Sequence, residues 1–578
     1  MHFVKKVPTS DEEKAVKEKE RAVKLRAFCG LRDRIFDKRR KEGHDDELME
    51  LTEKLLRKNP DIYTFWNIRR EALERKREQS PDTVEDAYAR ELAVTYECIE
   101  ANPKSYSAWF QRGWILERQA APDLKKELSH CELALKADCR NFHAWDHRRV
   151  VARMAKLTEQ EELEFSQKLV ANNFSNFSAW HMRMHLLPRE VDAVTGESVL
   201  PEAIAKDEIK RVANAVFTDP EDQSAWVFAR WLISLYSPSS FLNEESSLPN
   251  RPLAVSLLNG RLIVAMCRSC TSEVVASFVR GDVTASLKPV SRFGDSSSVA
   301  ARVWATDVDE AVDSVEASLD GDSWTSVTPS KPLVDIARYK SIFLCCPRPQ
   351  IDAIRAHCDE LLQEETANAM ALLTRTECLR ATAPIESHAD IVATLEKLAD
   401  TVDPLRANMY KSYISQERFR RNLARNEEHS SQSHPSRLDE LVSGSVSRLA
   451  VRYKDVHEFL HLDLLAPFID HIDLRGNESL VDATPLSVLA GASTLGLDET
   501  GITRLPPSLS SLSRIDMLSC GGCTGLVALE GVLPMLKELP KGGERPPRFL
   551  FCETPLVEKS EELHEALGDA VRLIPYYL

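Results

Sequence analysis

One pattern constrains this chain more than any other: a tryptophan set in the same short frame five times. NPDIYTFWNIRR surrounds Trp66, NPKSYSAWFQRG Trp109, DCRNFHAWDHRR Trp145, NNFSNFSAWHMR Trp180 and DPEDQSAWVFAR Trp226. The tryptophans follow one another at intervals of 43, 36, 35 and 46 residues. A segment such as DELMELTEKLLRKNP or LKKELSHCELALKAD precedes each frame, with apolar residues at i, i+3, i+4 and i+7. Asn-Pro, Asp-Pro or a polar pair then ends that helix, because the residue before a proline avoids the α region. Each unit therefore predicts a helical hairpin, and five in succession predict an α-solenoid.

Within each frame, the residues three and four after the tryptophan share its helical face. Arg69, Arg112, Arg148 and Arg183 stand at the third position; in the fifth frame the arginine moves one place, to Arg230. A buried indole fills the space between paired helices. The arginine can stack on it or bond carbonyls and carboxylates of a neighbouring repeat. The tryptophan motif thus reads as architecture.

Positions that vary between frames are the candidates for chemistry. Five residues before the tryptophan the series is Asp61, Lys104, Arg140, Ser175, Glu221; two before it, Thr64, Ser107, His143, Ser178, Ser224. Equivalent positions of stacked repeats form columns, so Lys104, Arg140 and His143 are expected close together beside helix N-termini, whose free N–H groups favour anions. That makes a candidate phosphate site.

The frames NxxxYxxW(N/H)xRR resemble the α-subunit repeats of protein prenyltransferases. KVPTSDEEKAVKEKERAVKLRAF followed by NPDIYTFWNIRRE most resembles the Rab geranylgeranyltransferase α subunit. The resemblance covers residues 1 to about 236 through these motifs. It implies a crescent of helical hairpins wrapped around a β subunit that carries zinc and most of the lipid pocket. It also implies transfer of geranylgeranyl from its diphosphate to C-terminal cysteines of Rab GTPases presented by an escort protein. By the same resemblance Lys104 reaches the isoprenoid diphosphate and His143 lies in the same groove. Phe142 stands where the farnesyl enzyme has tyrosine, and Arg140 where it has lysine. The Rab-type subunit also begins Met-His, so His2 would be able to approach the β-subunit zinc and cap it.

After Tyr236, SPSSFLNEESSLPNRP breaks the helical pattern. RPLAVSLLNGRLIVAMC, EVVASFVRG, SSVAARVWATD and SIFLCC read as short strands, giving an all-β sandwich over 241–350. By resemblance this insert is immunoglobulin-like. Helical pattern resumes over 351–430, where ANAMALLTR reads as a degenerate sixth repeat with Met370 in the tryptophan position. Over 445–578, IDLRGN, LGLDET and IDMLSC start 23 and then 20 residues apart, the period of leucine-rich repeats, with FLFCET as a further strand before a helical C-terminus. The first domain accordingly runs 1–240. Loss of 445–578 is expected to leave transfer largely intact.

Other features exclude function classes. The net charge of −15 opposes bulk nucleic-acid binding, and no apolar run approaches about 18 residues, the length of a membrane helix. The N-terminus lacks a signal-peptide core, and thirteen cysteines in no disulfide spacing fit a reducing, cytoplasmic setting. The pairs Cys267–Cys270 and Cys520–Cys523 have no histidine partners at zinc spacing. HMRMH (His181 to His185) lacks the glutamate of HExxH and is assigned no metal. The rival reading is a helical-repeat and leucine-rich-repeat scaffold without prenyltransferase activity. The α subunit shared by the farnesyl and type I enzymes ranks last, since it lacks the insert and tail.

Overall fold

The computed structural model describes residues 11–41, 45–191, 198–237, 252–270, 275–278, 283–290, 301–308, 314–318, 324–328, 331–344, 348–424, 435–539 and 546–575. His2 lies outside them. The chain divides into two compact units, Met1–Leu186 and Leu187–Leu578. No described helix is long and apolar enough to cross a membrane.

The first unit is a long helix α1 (Asp11–Arg40) followed by four hairpins. These pair α2 (Asp46–Leu56) with α3 (Tyr63–Gln79), α4 (Pro81–Ala101) with α5 (Tyr106–Leu116), α6 (Leu124–Ala137) with α7 (Phe142–Met154), and α8 (Glu159–Asn172) with α9 (Phe177–Leu186). Every hairpin turn is built alike. The indole of Trp66 donates to the Pro60 carbonyl at 2.8 Å, Trp109 to Pro103 at 2.9 Å, Trp145 to Cys139 at 2.9 Å and Trp180 to Phe174 at 2.7 Å. The acceptor is always six residues before the tryptophan, on the turn between the two helices. Seven residues before the tryptophan, the side chains of Asn59, Asn102, Asp138 and Asn173 accept from the N–H two residues on. The tryptophan therefore fills the core and also donates a hydrogen bond to a backbone carbonyl of the turn.

The arginines three residues later tie each hairpin to the next. Arg69 reaches Glu91 on α4 (Nε–Oε1 2.9 Å) and Thr52 of its own hairpin (2.9 Å). Arg112 reaches Glu127 on α6 (Nη2–Oε2 2.6 Å), Thr95 (3.1 Å) and the Leu92 carbonyl (2.9 Å). Arg148 reaches Glu162 on α8 at 2.6 Å and lies over the Phe165 ring. They bond carboxylates and carbonyls and do not stack on the indoles. All are buried, so removing one partner would strand a charge away from water.

The second unit opens with the fifth hairpin, α10 (Glu202–Thr218) and α11 (Gln223–Tyr236), where Trp226 donates to the Pro220 carbonyl at 2.8 Å and Arg230 pairs with Glu377. Helices α12 (Ile336–Phe343), α13 (Pro349–Glu364), α14 (Ala369–Thr382), α15 (His388–Lys397) and α16 (Ala407–Ala424) follow. In the α13–α14 hairpin Asn368 caps α14 and donates to the Pro220 carbonyl at 3.2 Å. Asn141 makes the same two contacts, to its own helix and to Pro103 of the previous turn. Asn141 stands four residues before Trp145, so the tryptophan-equivalent in the sixth hairpin is Leu372. The assignment to Met370 was two residues out, because nothing aromatic marks the register there.

Between α11 and α12, antiparallel strands form a five-stranded sheet (Leu333–Val334, Pro252–Leu258, Arg261–Cys270, Ala301–Asp307, Lys288–Pro289) and a four-stranded one (Trp324–Val327, Val315–Ser318, Val275–Phe278, Val283–Ser286). Asn259 and Gly260, both at positive φ, make the tight turn of the 252–270 hairpin. Leu262, Val264 and Met266 join a core with Val315 and Val327 of the other sheet. The alternate residues Ile263, Ala265 and Cys267 join a second core that includes α12, α16 and much of 438–571. The larger sheet is thus covered on both faces, which explains why RLIVAMC is apolar without alternation. SIFLCC was expected as a strand, yet Ser341–Phe343 end helix α12. Tyr339, Ile342 and Phe343 are buried at i, i+3 and i+4 behind the N-cap Asp335.

Six parallel strands end the chain: Arg448–Ala450, His471–Asp473, Thr494–Gly496, Met517–Ser519, Arg548–Leu550 and Arg572–Ile574. Leu449, Ile472, Leu495, Leu518, Phe549 and Leu573 are in register, so the first three intervals are each 23 residues. The 20-residue interval expected at IDMLSC was a frame error: Leu518 is the aligned residue, not Ile515. The expected C-terminal helix is present as Ser560–Leu567, flanked by 3-10 turns Pro555–Lys559 and Gly568–Ala570, and is followed by the strand Arg572–Ile574. Five residues past four of the aligned residues (Ile472, Leu495, Leu518 and Phe549) sits a buried polar side chain: Asn477, Thr500, Cys523 and Thr554. Asn477 donates to the Val451 and Leu474 carbonyls at 2.7 and 2.6 Å and accepts from the Val456 and Lys454 N–H groups. Cys523 takes the same place in its repeat, donating to the Leu497 carbonyl at 3.0 Å. Its membership in a CxxC pair is therefore accounted for by the repeat. Cys267 is likewise buried core; the Cys270 side chain lies outside the described ones.

Candidate functional site

The helix-capping chemistry that makes the turns also places the candidate residues. Lys104 lies just before Ser105, which caps α5, and Arg140 just before Asn141, which caps α7. Two cations therefore stand at consecutive turns beside two helix N-termini, where the free N–H groups already favour negative charge. Asp138 links them: its carboxylate accepts the Arg140 N–H at 3.0 Å and lies 3.5 Å from the Lys104 ammonium. The Lys104 side chain is 69% exposed and that of Asp138 37%, so the pair is worth well under about 1 kcal/mol. An incoming anion can displace it. Arg140 is exposed on the same turn.

His143 is only 7% exposed. Its ring packs edge-on against Tyr106 (centroids 4.3 Å, 87°) and against Phe142 (4.0 Å). Burial pulls its pKa below the ordinary 6.5, against the charge of Asp146 and a hydrogen bond to the Lys104 backbone. The imidazole is thus held mainly neutral at pH 7, and its buried Nε2 has no hydrogen-bond partner. A buried polar atom left unmatched is costly unless something outside the chain completes it. The structure brings Lys104 and His143 together through that backbone contact, and places Arg140 on the same turn as Asp138, which accepts its backbone N–H.

Sequence reasoning missed the surface around this cluster. Three residues before each of the first four tryptophans stands an aromatic residue: Tyr63, Tyr106, Phe142 and Phe177. All four are exposed, at 62, 70, 49 and 42%, and Phe110 adds another at 63%. Each opens the second helix of its hairpin, so the four form a column along the turns, with Lys104 and Arg140 two residues away from Tyr106 and Phe142. The signal was legible, since the position is aromatic in four frames and glutamine (Gln223) in the fifth. An apolar column of this size is uncommon on a surface that faces only water.

Comparison with known proteins bears on this arrangement. A model described as "Protein prenyltransferase alpha subunit repeat" matches residues 88–119, 124–155, 159–190 and 205–236, each match spanning one helical hairpin. The geranylgeranyl transferase type-2 subunit alpha of Rattus norvegicus is 30% identical over 571 residues, covering 93% of this chain and 90% of that one. The Homo sapiens protein of the same name is 29% identical over the same shares. The Schizosaccharomyces pombe protein is 34% identical over 252 residues, 42% of this chain and 73% of that one. Since the likeness runs across the helical hairpins, the strand-rich segment and the parallel-strand repeats alike, this chain belongs to the geranylgeranyl transferase type-2 α-subunit family of protein prenyltransferases.

Proposed function

We propose that this chain is the α half of a heterodimeric Rab geranylgeranyltransferase. With a prenyltransferase β subunit, it transfers geranylgeranyl from geranylgeranyl diphosphate to C-terminal cysteines of Rab GTPases presented by an escort protein. One observation carries the reading: Lys104 and Arg140 occupy consecutive helix N-termini beside an exposed aromatic column. In the transfer, a thiolate sulfur bonds to the first carbon of the prenyl chain while the carbon–oxygen bond to the diphosphate breaks. The diphosphate departs with the electron pair. Lys104 is the catalytic candidate on this chain, its ammonium stabilising that developing charge; Arg140 and His143 complete the anion site. The neutral His143 offers a hydrogen bond without adding charge. The column of Tyr63, Tyr106, Phe142 and Phe177 supplies the apolar face that the β subunit covers.

Zinc is assigned to the β subunit. Among the described residues no group of three or more His, Cys, Asp or Glu side chains fits a metal ion. His2 is proposed to cap the zinc of the β subunit. We assign 1–240 and 351–430 to the helical repeats, 241–350 to an immunoglobulin-like sandwich and 445–578 to leucine-rich repeats, with the whole acting in the cytoplasm.

Geranylgeranyl transfer to an escort-presented Rab, assayed with and without the β subunit, tests the proposal. Transfer only in the mixture supports it. Failure to pair with any prenyltransferase β subunit would leave the scaffold reading ahead.

A further inference from the structure

Asn141 does more than cap a helix. The residue is 1% exposed, and its Oδ1 accepts from the His143 and Ala144 N–H groups at 3.1 and 3.4 Å, the capping contacts of α7. Its Nδ2 reaches back into the previous hairpin and donates to the Pro103 carbonyl at 2.9 Å. That carbonyl belongs to the peptide group that carries the Lys104 nitrogen. It also takes the Trp109 indole N–H at 2.9 Å, while the Lys104 N–H, on the other edge of the same plane, donates to Asn102 at 3.2 Å. A peptide group is planar, so bonds at both edges fix the plane and with it the Lys104 Cα.

We propose that Asn141 is a positioning residue for prenyl transfer, its one amide holding the Lys104 peptide and the His143 backbone in a fixed relation. The inference rests on the reading of Lys104 as the group that meets the departing diphosphate. Lys104 and His143 belong to different hairpins. The exposed Lys104–Asp138 pair between those hairpins is too weak to set their distance. The Asn141 amide and the His143 imidazole instead close on the Lys104 backbone from two sides. The ammonium rides on a flexible four-carbon stem, so its reach is centred by that backbone. Ser105, four residues before Trp109, shows what a shorter residue does at the same place. It caps α5 through its hydroxyl, 3.4 Å from the Ala108 N–H, and has no amide to extend to the turn before. Asn368 makes the same bridge to Pro220, where the next residue is Glu221. The bridge is thus a device of the fold, and the lysine it holds at Pro103 turns it to chemistry.

The test is geranylgeranyl transfer by the heterodimer carrying Asn141→Ser, Lys104→Ala or both. Serine keeps the cap, as Ser105 does, and removes the donor. Asn141→Ser should lower kcat about fivefold and leave KM for geranylgeranyl diphosphate nearly unchanged, because the lysine acts on charge that develops in the transition state. In the Lys104→Ala background the same substitution should cost less than about twofold, since the group it positions is gone. A purely structural role would slow both backgrounds equally, and that result would overturn the inference, as would an unchanged kcat in Asn141→Ser. Asn141→Thr, also a capping residue and closer in volume, runs the same cycle if the serine heterodimer melts early. A native heterodimer without transfer, or one that Lys104→Ala leaves at full rate, would overturn the underlying reading and the inference with it.

Discussion

The chain repeats itself twice, once in helices and once in parallel strands, and the two repeats solve the same problem differently. Each must turn the chain back into a core without orphaning backbone carbonyls. In the helical hairpins an indole N–H reaches the carbonyl six residues earlier, five times over. In the strand repeats the partner drifts from Asn477 to Thr500, Cys523 and Thr554. Both also bridge neighbours with arginine and carboxylate. The helical bridges, such as Arg112–Glu127, are buried, whereas Arg452–Asp473 lies at a half-exposed edge. A tryptophan fills its place with a bulk that few side chains match, and only Leu372 of the sixth hairpin departs from it, while a small polar ladder residue is readily exchanged. Repeats with a bulky anchor therefore keep their sequence signature, and repeats with a small one keep only their period.

Substitutions can break that contrast. Trp66→Ala should destabilise the first hairpins by about 3–5 kcal/mol, read from hydrogen exchange of α2 and α3. Trp66→Phe keeps most of the bulk and should cost only the carbonyl's partner, about 1–3 kcal/mol. Equal losses in the two variants would remove the hydrogen bond from the account.

The buried bridge gives a pH test. Burial pushes the Glu127 pKa up, but hydrogen bonds from His147 and Arg112, with the arginine's charge, outweigh it and hold the carboxyl at about 2. A carboxylate depressed below its ordinary 4.5 contributes stability that is present above that value. The contribution is lost as pH falls toward about 2. Glu127→Gln should therefore destabilise the hairpins at neutral pH and flatten their acid unfolding over that range. A native-like acid transition in Glu127→Gln would show that another group governs it.

In the strand repeats, Asn477→Ala removes two donations and two acceptances and should cost more than Cys523→Ala, by about 1–3 kcal/mol. Equal costs would mean that the ladder residues only fill space. Removing 445–578 should now be harmful, contrary to the sequence expectation. One continuous core joins Ile263 and Ala265 of the insert, Tyr339 of α12 and Leu464 of the tail, and the Tyr339 hydroxyl donates to the Leu464 carbonyl. The truncated chain should show lost solubility or a lowered melting temperature; a stable, active truncation would show that this core is dispensable.

Much of this fold was readable because the anchors were unambiguous. Five tryptophans fixed five hairpins, and the arginines bond the neighbouring carboxylates that the helical spacing suggested. Legibility failed where the anchor shrank. Leu372 replaces tryptophan without a visible frame, and Leu518 hides in a run where Ile515 begins an equally good pattern. SIFLCC could be strand or helix by composition, and tertiary burial of Tyr339, Ile342 and Phe343 decided for helix. In the candidate site, Lys104, Arg140 and His143 stood out because they break columns that are otherwise acidic or hydroxylic. The contact of Lys104 with Asp138 did not, since it joins residues of different hairpins.

Smaller effects sharpen the site itself. Asp138→Asn keeps the turn's acceptor but frees the Lys104 ammonium, so geranylgeranyl diphosphate affinity should rise slightly, by less than about tenfold. A fall would show that the carboxylate positions the lysine.

The most direct measurement is geranylgeranyl transfer by the Lys104→Ala heterodimer at limiting lipid substrate, beside its native counterpart. Lys104 is exposed and anchors nothing in the core, so the account predicts an intact heterodimer with the same melting temperature and transfer slowed by about tenfold or more. Full transfer in that heterodimer would contradict the placement of the diphosphate at these turns.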